Sequence, residues 1–268
     1  MELTIEHTTQ YRFDRPAERG LQRVRLRPRS MQLQTIDIWD LEFDGALREL
    51  DFFDEHQNWV DLLSFEPDST GITITARGIV NTHDGAGVID EPLNKFPLWL
   101  LSRPTQLTEP GPATQALVTD FAGKPGSPEL FHDLSAAIVD RLPYQEGLTA
   151  PDTTAEQALQ STGAVCQDHA HVFLAAARQL GFASRYVSGY LMMDDRVQQA
   201  AMHAWADVWI EGLGFVGFDV SNRISPDERY VRIATGMDYR DAAPIAGTRY
   251  GAGEEFLDVA LSVALTNQ

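Results

Sequence analysis

Three side chains in the second half of the chain are of the types that build a thiol nucleophile. Cys166 is the sole cysteine among 268 residues. It stands in GAVCQDHAHVFLAAARQLG (163–181), between a loop-like glycine and an apolar run. At the first turn of a helix, unpaired N–H groups and the helix dipole favour a thiolate. A nucleophilic thiol also needs a base within hydrogen-bond reach, and the base needs a third group to hold its tautomer. His203 opens the strand-like HAWADVWI, and Asp219 lies near the end of GFVGFDVS, after the turn EGLG (211–214). His203 follows Cys166 by 37 residues, and Asp219 follows His203 by 16. A short hairpin would put the latter two on one face of neighbouring strands. Residue types alone leave a second reading open. The cysteine is then a small packed hydrophobe, the histidine a strand-end residue bonded to a carbonyl, and the aspartate an Asx-turn former.

The elements that must position these groups are legible in outline. Leu3, Ile5, His7, Thr9, Tyr11 and Phe13 recur with period two, TIDIWDLEF (35–43) repeats the pattern, and GITITARGIV (71–80) is rich in β-branched residues. The first hundred residues therefore predict an antiparallel β-sandwich. SRPTQLTEPGP (102–112) carries three prolines and a glycine and reads as an interdomain linker, which divides the chain into 1–102 and 103–268. Ser127-Pro128-Glu129 predicts a helix start ahead of LFHDLSAAIVDRL. Thr153 with Glu156 predicts a capping box for a short helix. A third helix is expected from near Cys166 to Leu180, stopped by Gly181. Strands return at 183–193, 202–212, 214–221 and 255–265. The fold class is α+β, with helices packed on an antiparallel sheet in the second half.

Composition narrows the function. A formal charge of −18 and a pI near 4.6 argue against a nucleic-acid partner or an anionic membrane surface, since both need a basic face. One cysteine excludes an intramolecular disulfide and a Cys-rich zinc site. His169 and His171 are two apart, roughly 200° around a helix, so with Asp168 they do not make a metal face. No cofactor is expected. The opening MELTIEHTTQYRF lacks the pattern of a signal peptide, so a soluble, cytoplasmic protein is expected. Trp205, Trp209, Phe215 and Phe218 are read as core rather than as a cleft lining.

The segments 163–191, 203–222 and 231–251, with weaker matches at VRLRPRSMQLQ (24–34) and DEHQNWVDLLSF (54–65), resemble the transglutaminase-like superfamily of papain-type thiol enzymes. More narrowly, they resemble its bacterial members that carry an N-terminal β-domain. The resemblance implies Cys166 as nucleophile, His203 as general base and Asp219 as orienting acid. It also implies a thioester intermediate on a peptide or protein substrate with an amide or isopeptide bond. Hydrolysis by a cysteine peptidase or amidase is expected ahead of protein-glutamine crosslinking, because nothing marks an amine-acceptor site. A catalytically silent peptide-binding module is the reading from another class. Four places depart from the family's usual pattern: His169 for an aromatic, Phe215 for Trp, Val220-Ser221 for Pro-Thr and Met237 for a basic residue.

Overall fold

The computed structural model describes residues 1–89, 96–251 and 253–266. The period-two segments form strands. In β1 (Glu2–Phe13), Leu3, Ile5, His7, Thr9 and Phe13 are buried and their neighbours face outward. The other strands are β2 (Arg19–Arg27), β3 (Gln34–Asp44), β4 (Ala46–Phe53), β5 (Trp59–Phe65), β6 (Gly71–Thr82), β7 (Val88–Ile89), β8 (Ser184–Leu191), β9 (Gln198–Gln199), β10 (His203–Ile210), β11 (Gly214–Phe218), β12 (Tyr230–Gly236), β13 (Ile245–Tyr250) and β14 (Glu255–Leu265). The helices are α1 (Leu98–Leu101), α2 (Pro112–Val118), α3 (Pro128–Arg141), α4 (Ala155–Ala158), α5 (Cys166–Gln179) and α6 (Tyr239–Ala242). In β3 the alternation breaks at a bulge between Ile36 and Ile38. The bulge leaves Ile38 exposed and returns Trp39 and Leu41 to the inner face.

Three antiparallel sheets result. Two face each other as a sandwich: β3-β6-β1-β14-β9 and β13-β2-β5-β4. Their inner faces meet through Leu41, Ile72, Ile74 and Ala76 on one side and Val24, Leu26 and Leu63 on the other. The third sheet runs β12-β8-β10-β11-β7 and carries α5 across β8 and β10.

Strand pairing crosses the 102/103 division in both directions. β14 pairs with β1 along its whole length, from Leu3↔Leu265 to Phe13↔Glu255, and β13 pairs with β2. In return, β7 pairs with β11 of the third sheet, with Phe215 opposite Ile89. Without β14, β1 would present a twelve-residue edge of unpaired backbone groups. Leu3, Ile5 and Val80 of the sandwich, with Leu261 and Val263 of β14, join the same apolar cluster as the buried face of α5. The two halves therefore share a core.

The proline-rich stretch is likewise no loose tether. Leu107 and Thr108 are fully buried. Arg178, in the last turn of α5, donates to Leu101 O (3.1 Å), Thr108 Oγ1 (2.7 Å), Ser184 O (2.9 Å) and Met237 O (2.6 Å). Buried backbone held this way resists local opening. Limited proteolysis of the native protein is therefore expected to spare 102–112. A first cut there, mapped by mass spectrometry, would contradict the shared core.

Helix ends follow their local chemistry. Ser127 accepts from Leu130 N (3.3 Å) with Pro128 in the first turn. The capping box of α4 is Thr154 with Gln157, not Thr153 with Glu156: Thr154 Oγ1 accepts from Gln157 N at 3.2 Å, and Gln157 Oε1 accepts from Thr154 N at 2.9 Å. Glu156 instead accepts from the backbone N–H groups of Gly111, Ala113 and Thr114, at the start of α2.

Candidate active site

Cys166 is the first residue of α5, and Leu180-Gly181 ends the helix, with Gly181 at φ +91°. Val165 has no side chain able to cap. Asp168 reaches back to accept from Val165 N (3.0 Å) and from Thr149 Oγ1 (2.6 Å). The chain entering the helix is braced from the other side. Tyr144 and Ala164 form a parallel bridge, closed by Gln145 N to Ala164 O (2.8 Å) and Ala164 N to Pro143 O (3.1 Å). The thiol is thus carried on fixed backbone, half-buried.

His203 opens β10, which the Gly212 and Gly214 turn, both at positive φ, folds back into β11. Asp219 lies just past β11, tied to Ile224 by a two-way backbone bridge (2.8 and 3.2 Å). The hairpin brings the two side chains together: His203 Nε2 lies 2.6 Å from Asp219 Oδ2. The charge of Cys166 also acts on this imidazole, after that of Asp219. The hairpin thus joins His203 to Asp219, and Cys166 starts the helix packed on the same sheet.

The electrostatics follow from burial and partners. Burial alone would lower the affinity of His203 for its proton. The Asp219 carboxylate and then Cys166 overcome that and push the imidazole up to about 10. Burial would raise Asp219, but His203, Asn222 and Tyr230 hold its carboxyl below the usual range. Asp219 is fully buried and accepts from Asn222 Nδ2 (2.7 Å), Asn222 N (3.2 Å) and Tyr230 OH (2.7 Å).

Tyr230 and Asn222 are site residues that sequence reasoning missed. No spacing rule ties a tyrosine at the start of β12 to an aspartate after β11. Tyr144 is a third. Partial burial, then the charges of Cys166 and Glu146, push its phenol up to about 12. A proline-flanked tyrosine 22 residues before the cysteine carries no local signal.

The neighbouring histidines have structural partners. His169 is buried, bonded through Nδ1 to Ser221 Oγ (2.8 Å) and through Nε2 to Leu142 O (2.7 Å). Two of the departures noted above, at 169 and 221, are thus in contact with each other. His171 Nε2 accepts from Tyr239 N (3.1 Å), and burial lowers its imidazole to about 3. Trp205, Phe215 and Phe218 are buried as core residues. The Trp205 ring stacks on His203 at 6.2 Å. No group of three or more metal-ligating side chains occurs among the described residues.

Helices packed on an antiparallel sheet, with a cysteine at a helix start, a histidine on a strand and an aspartate at a hairpin's end, fit a papain-like thiol enzyme at the level of the superfamily. Residues 115–220 match the family model described as Transglutaminase-like superfamily, and residues 3–81 match that of the Bacterial transglutaminase-like N-terminal region. The chain is thus similar to this superfamily over its core and to the bacterial N-terminal region over its first strands. An uncharacterized protein of Mycobacterium leprae is 27% identical over 280 residues, covering 97% of this chain and 98% of its own. One of Mycobacterium tuberculosis (strain H37Rv) is 28% identical over 291 residues, covering 97% and 91%. In fold, the chain is similar to a solved Cytophaga hutchinsonii protein called a "Putative Cysteine Protease", with a TM-score of 0.76, 18% identity and 98% of both chains covered. The fold is thus transglutaminase-like, with a strand-rich N-terminal part.

Proposed function

We propose that the protein is a thiol hydrolase that cleaves an amide or isopeptide bond of a peptide or protein substrate. The observation that carries this reading is His203 bonded to Asp219 at 2.6 Å, with Cys166 at the N-terminus of the helix packed on the same sheet. His203 takes the proton of the Cys166 thiol. Sulfur attacks the amide carbonyl, and the new S–C bond forms as the carbonyl π electrons move to oxygen. The Cys166 N–H, at the first helical position and without a protein partner among the described residues, is placed to donate to that oxyanion. The C–N bond then breaks, the nitrogen leaves with the proton from His203, and a thioester remains. Water, deprotonated by His203, opens the thioester, and the proton returns to sulfur. Asp219 holds the ring and stabilises the imidazolium throughout.

Hydrolysis is the reading we favour over transfer to an amine, since water needs no binding site of its own beside the thiol. Trapping the acyl group on Cys166 from a lysate peptide pool, with identification by mass spectrometry, would name the substrate. A simpler test uses iodoacetamide at pH 6, where an ordinary thiol is only about 0.3% ionised. Cys166 is expected to be alkylated at least about tenfold faster than N-acetylcysteine. A rate equal to the free thiol, or persistence of that rate advantage in His203→Ala, would refute the activated nucleophile and favour a silent binding module.

A further inference from the structure

The Asp219 carboxylate is more heavily engaged than orienting one histidine requires. Three donors converge on a single oxygen, Oδ2: His203 Nε2 at 2.6 Å, Asn222 Nδ2 at 2.7 Å and Tyr230 OH at 2.7 Å. A carboxylate oxygen offers about two lone-pair directions, so three donors share its charge. The site is buried, where each such bond is worth more than in water. Tyr230 is held for this contact. Its ring lies edge-on to Trp205 at 5.5 Å and 6.1 Å from His203.

We propose that Tyr230, seconded by Asn222, is a positioning residue that weakens the hold of Asp219 on the His203 proton, so that the imidazolium releases it readily to the departing nitrogen. The proposal rests on the thioester chemistry above. In that sequence His203 first accepts the thiol proton and then must give it up as the C–N bond breaks. A carboxylate bonded to His203 alone would favour the first event and oppose the second. Donors that draw charge from Oδ2 trade some of the one for the other.

The other groups facing this pair do not supply that balance. Cys166 and His169 approach from α5, the former as the reacting partner and the latter bonded to Ser221 and Leu142. Tyr144 faces from the segment beside Ala164. Asp227 and Arg229, on the loop before β12, pair with each other, and Arg229 also pairs with Asp194. Trp205, on the same strand as His203, contributes a ring face only.

The test reads the His203 proton directly. In full-length protein carrying Cys166→Ala, the thiol is absent and the titration of His203 reports the hold of Asp219. Histidines are labelled with 15N, and the His203 signal is identified by its loss in His203→Gln. Adding Tyr230→Phe, which keeps the ring between Trp205 and His203, is expected to raise the proton affinity of His203 about tenfold. Asn222→Ala, at an exposed turn position, is expected to shift it the same way by less, and it serves as the readout if the tyrosine variant fails to fold. An unchanged or lowered affinity would show that Tyr230 only packs or only fixes geometry, and would overturn the proposal. The iodoacetamide rate of wild-type Cys166 judges the hydrolase reading separately. A slow thiol with a shifted His203 would sink that reading and leave the tyrosine's effect standing, and the reverse result would do the opposite.

Discussion

Cys166→Ala and His203→Ala are each expected to abolish thioester formation and turnover, whereas Asp219→Ala leaves a measurable remainder. The asymmetry follows from the roles. In the proposed mechanism sulfur bonds to the carbonyl, and His203 moves every proton in both half-reactions. Asp219 fixes the ring and supports its charge, so its loss costs about 10⁴-fold, as in related triads, while a neutral imidazole still acts in some orientations. Residues that act as one unit are not additive. A Cys166→Ala/His203→Ala double variant is therefore expected to be no worse than either single one. The measurements are acyl-enzyme yield by mass spectrometry and single-turnover kinetics on the trapped substrate. Turnover surviving in Cys166→Ala would overturn the assignment outright.

The second large effect concerns stability. Asp207 of β10 is fully buried and bridges two arginines on β8 and β12 of the third sheet. Of these, only β8 adjoins β10, and β12 lies one strand further; Arg185 Nε of β8 lies 2.8 Å from Oδ2. Arg232 of β12 makes a bidentate pair, with Nη1 at 2.7 Å and Nη2 at 2.9 Å. The guanidinium of Arg185 lies 4.0 Å from the Phe215 ring centre, and Arg232 lies over Trp205 at 5.5 Å. Asp207→Ala removes the carboxylate from two buried cations and is expected to cost about 3–5 kcal/mol, lowering Tm by on the order of 10 °C. Scanning calorimetry checks it, and a Tm within about 2 °C of wild type would contradict the account.

The pH dependence of that pair has a definite sign. Burial would raise the Asp207 carboxyl, but Arg232 and then Arg185 outweigh it, so the folded value lies below the unfolded one. Its contribution is fully present above the unfolded value of about 3.9 and is lost as pH falls through the folded value. Acid should therefore destabilise the wild type more steeply than Asp207→Ala below about pH 4.

Much of the site was legible because the signals that specify it are short-range. A helix start at Cys166 and its stop at Gly181 need only the apolar stripe and a glycine free to take positive φ. The His203–Asp219 pair needs only a hairpin, and EGLG between two apolar strands predicts one. The one-residue slip in the α4 cap arises because Thr153 and Thr154 are chemically alike. The choice between them depends on Glu156 being claimed by the first turn of α2, 45 residues back at Gly111.

What the sequence by itself determined is therefore the identity of the reactive groups and the local elements that carry them: a thiol on a helix start, an imidazole on a strand, a carboxylate at a hairpin's end. Only the tertiary structure decided which partners those elements take. Alternation in 255–265 predicts a strand but is silent about its neighbour, since backbone donors and acceptors are the same on every strand; β1 was the edge left open, and β14 fills it. For the same reason strand pairing crosses the boundary near 102, since burial of Val263 opposite Ile5 depends on pairing between residues 258 apart. Asn222 reaches Asp219 through a turn and Tyr230 reaches it from β12, three strands away from β11 in the sheet. Their part in holding the carboxylate exists only once the third sheet has assembled, because a hydrogen bond is set by where atoms meet in space and not by residue type.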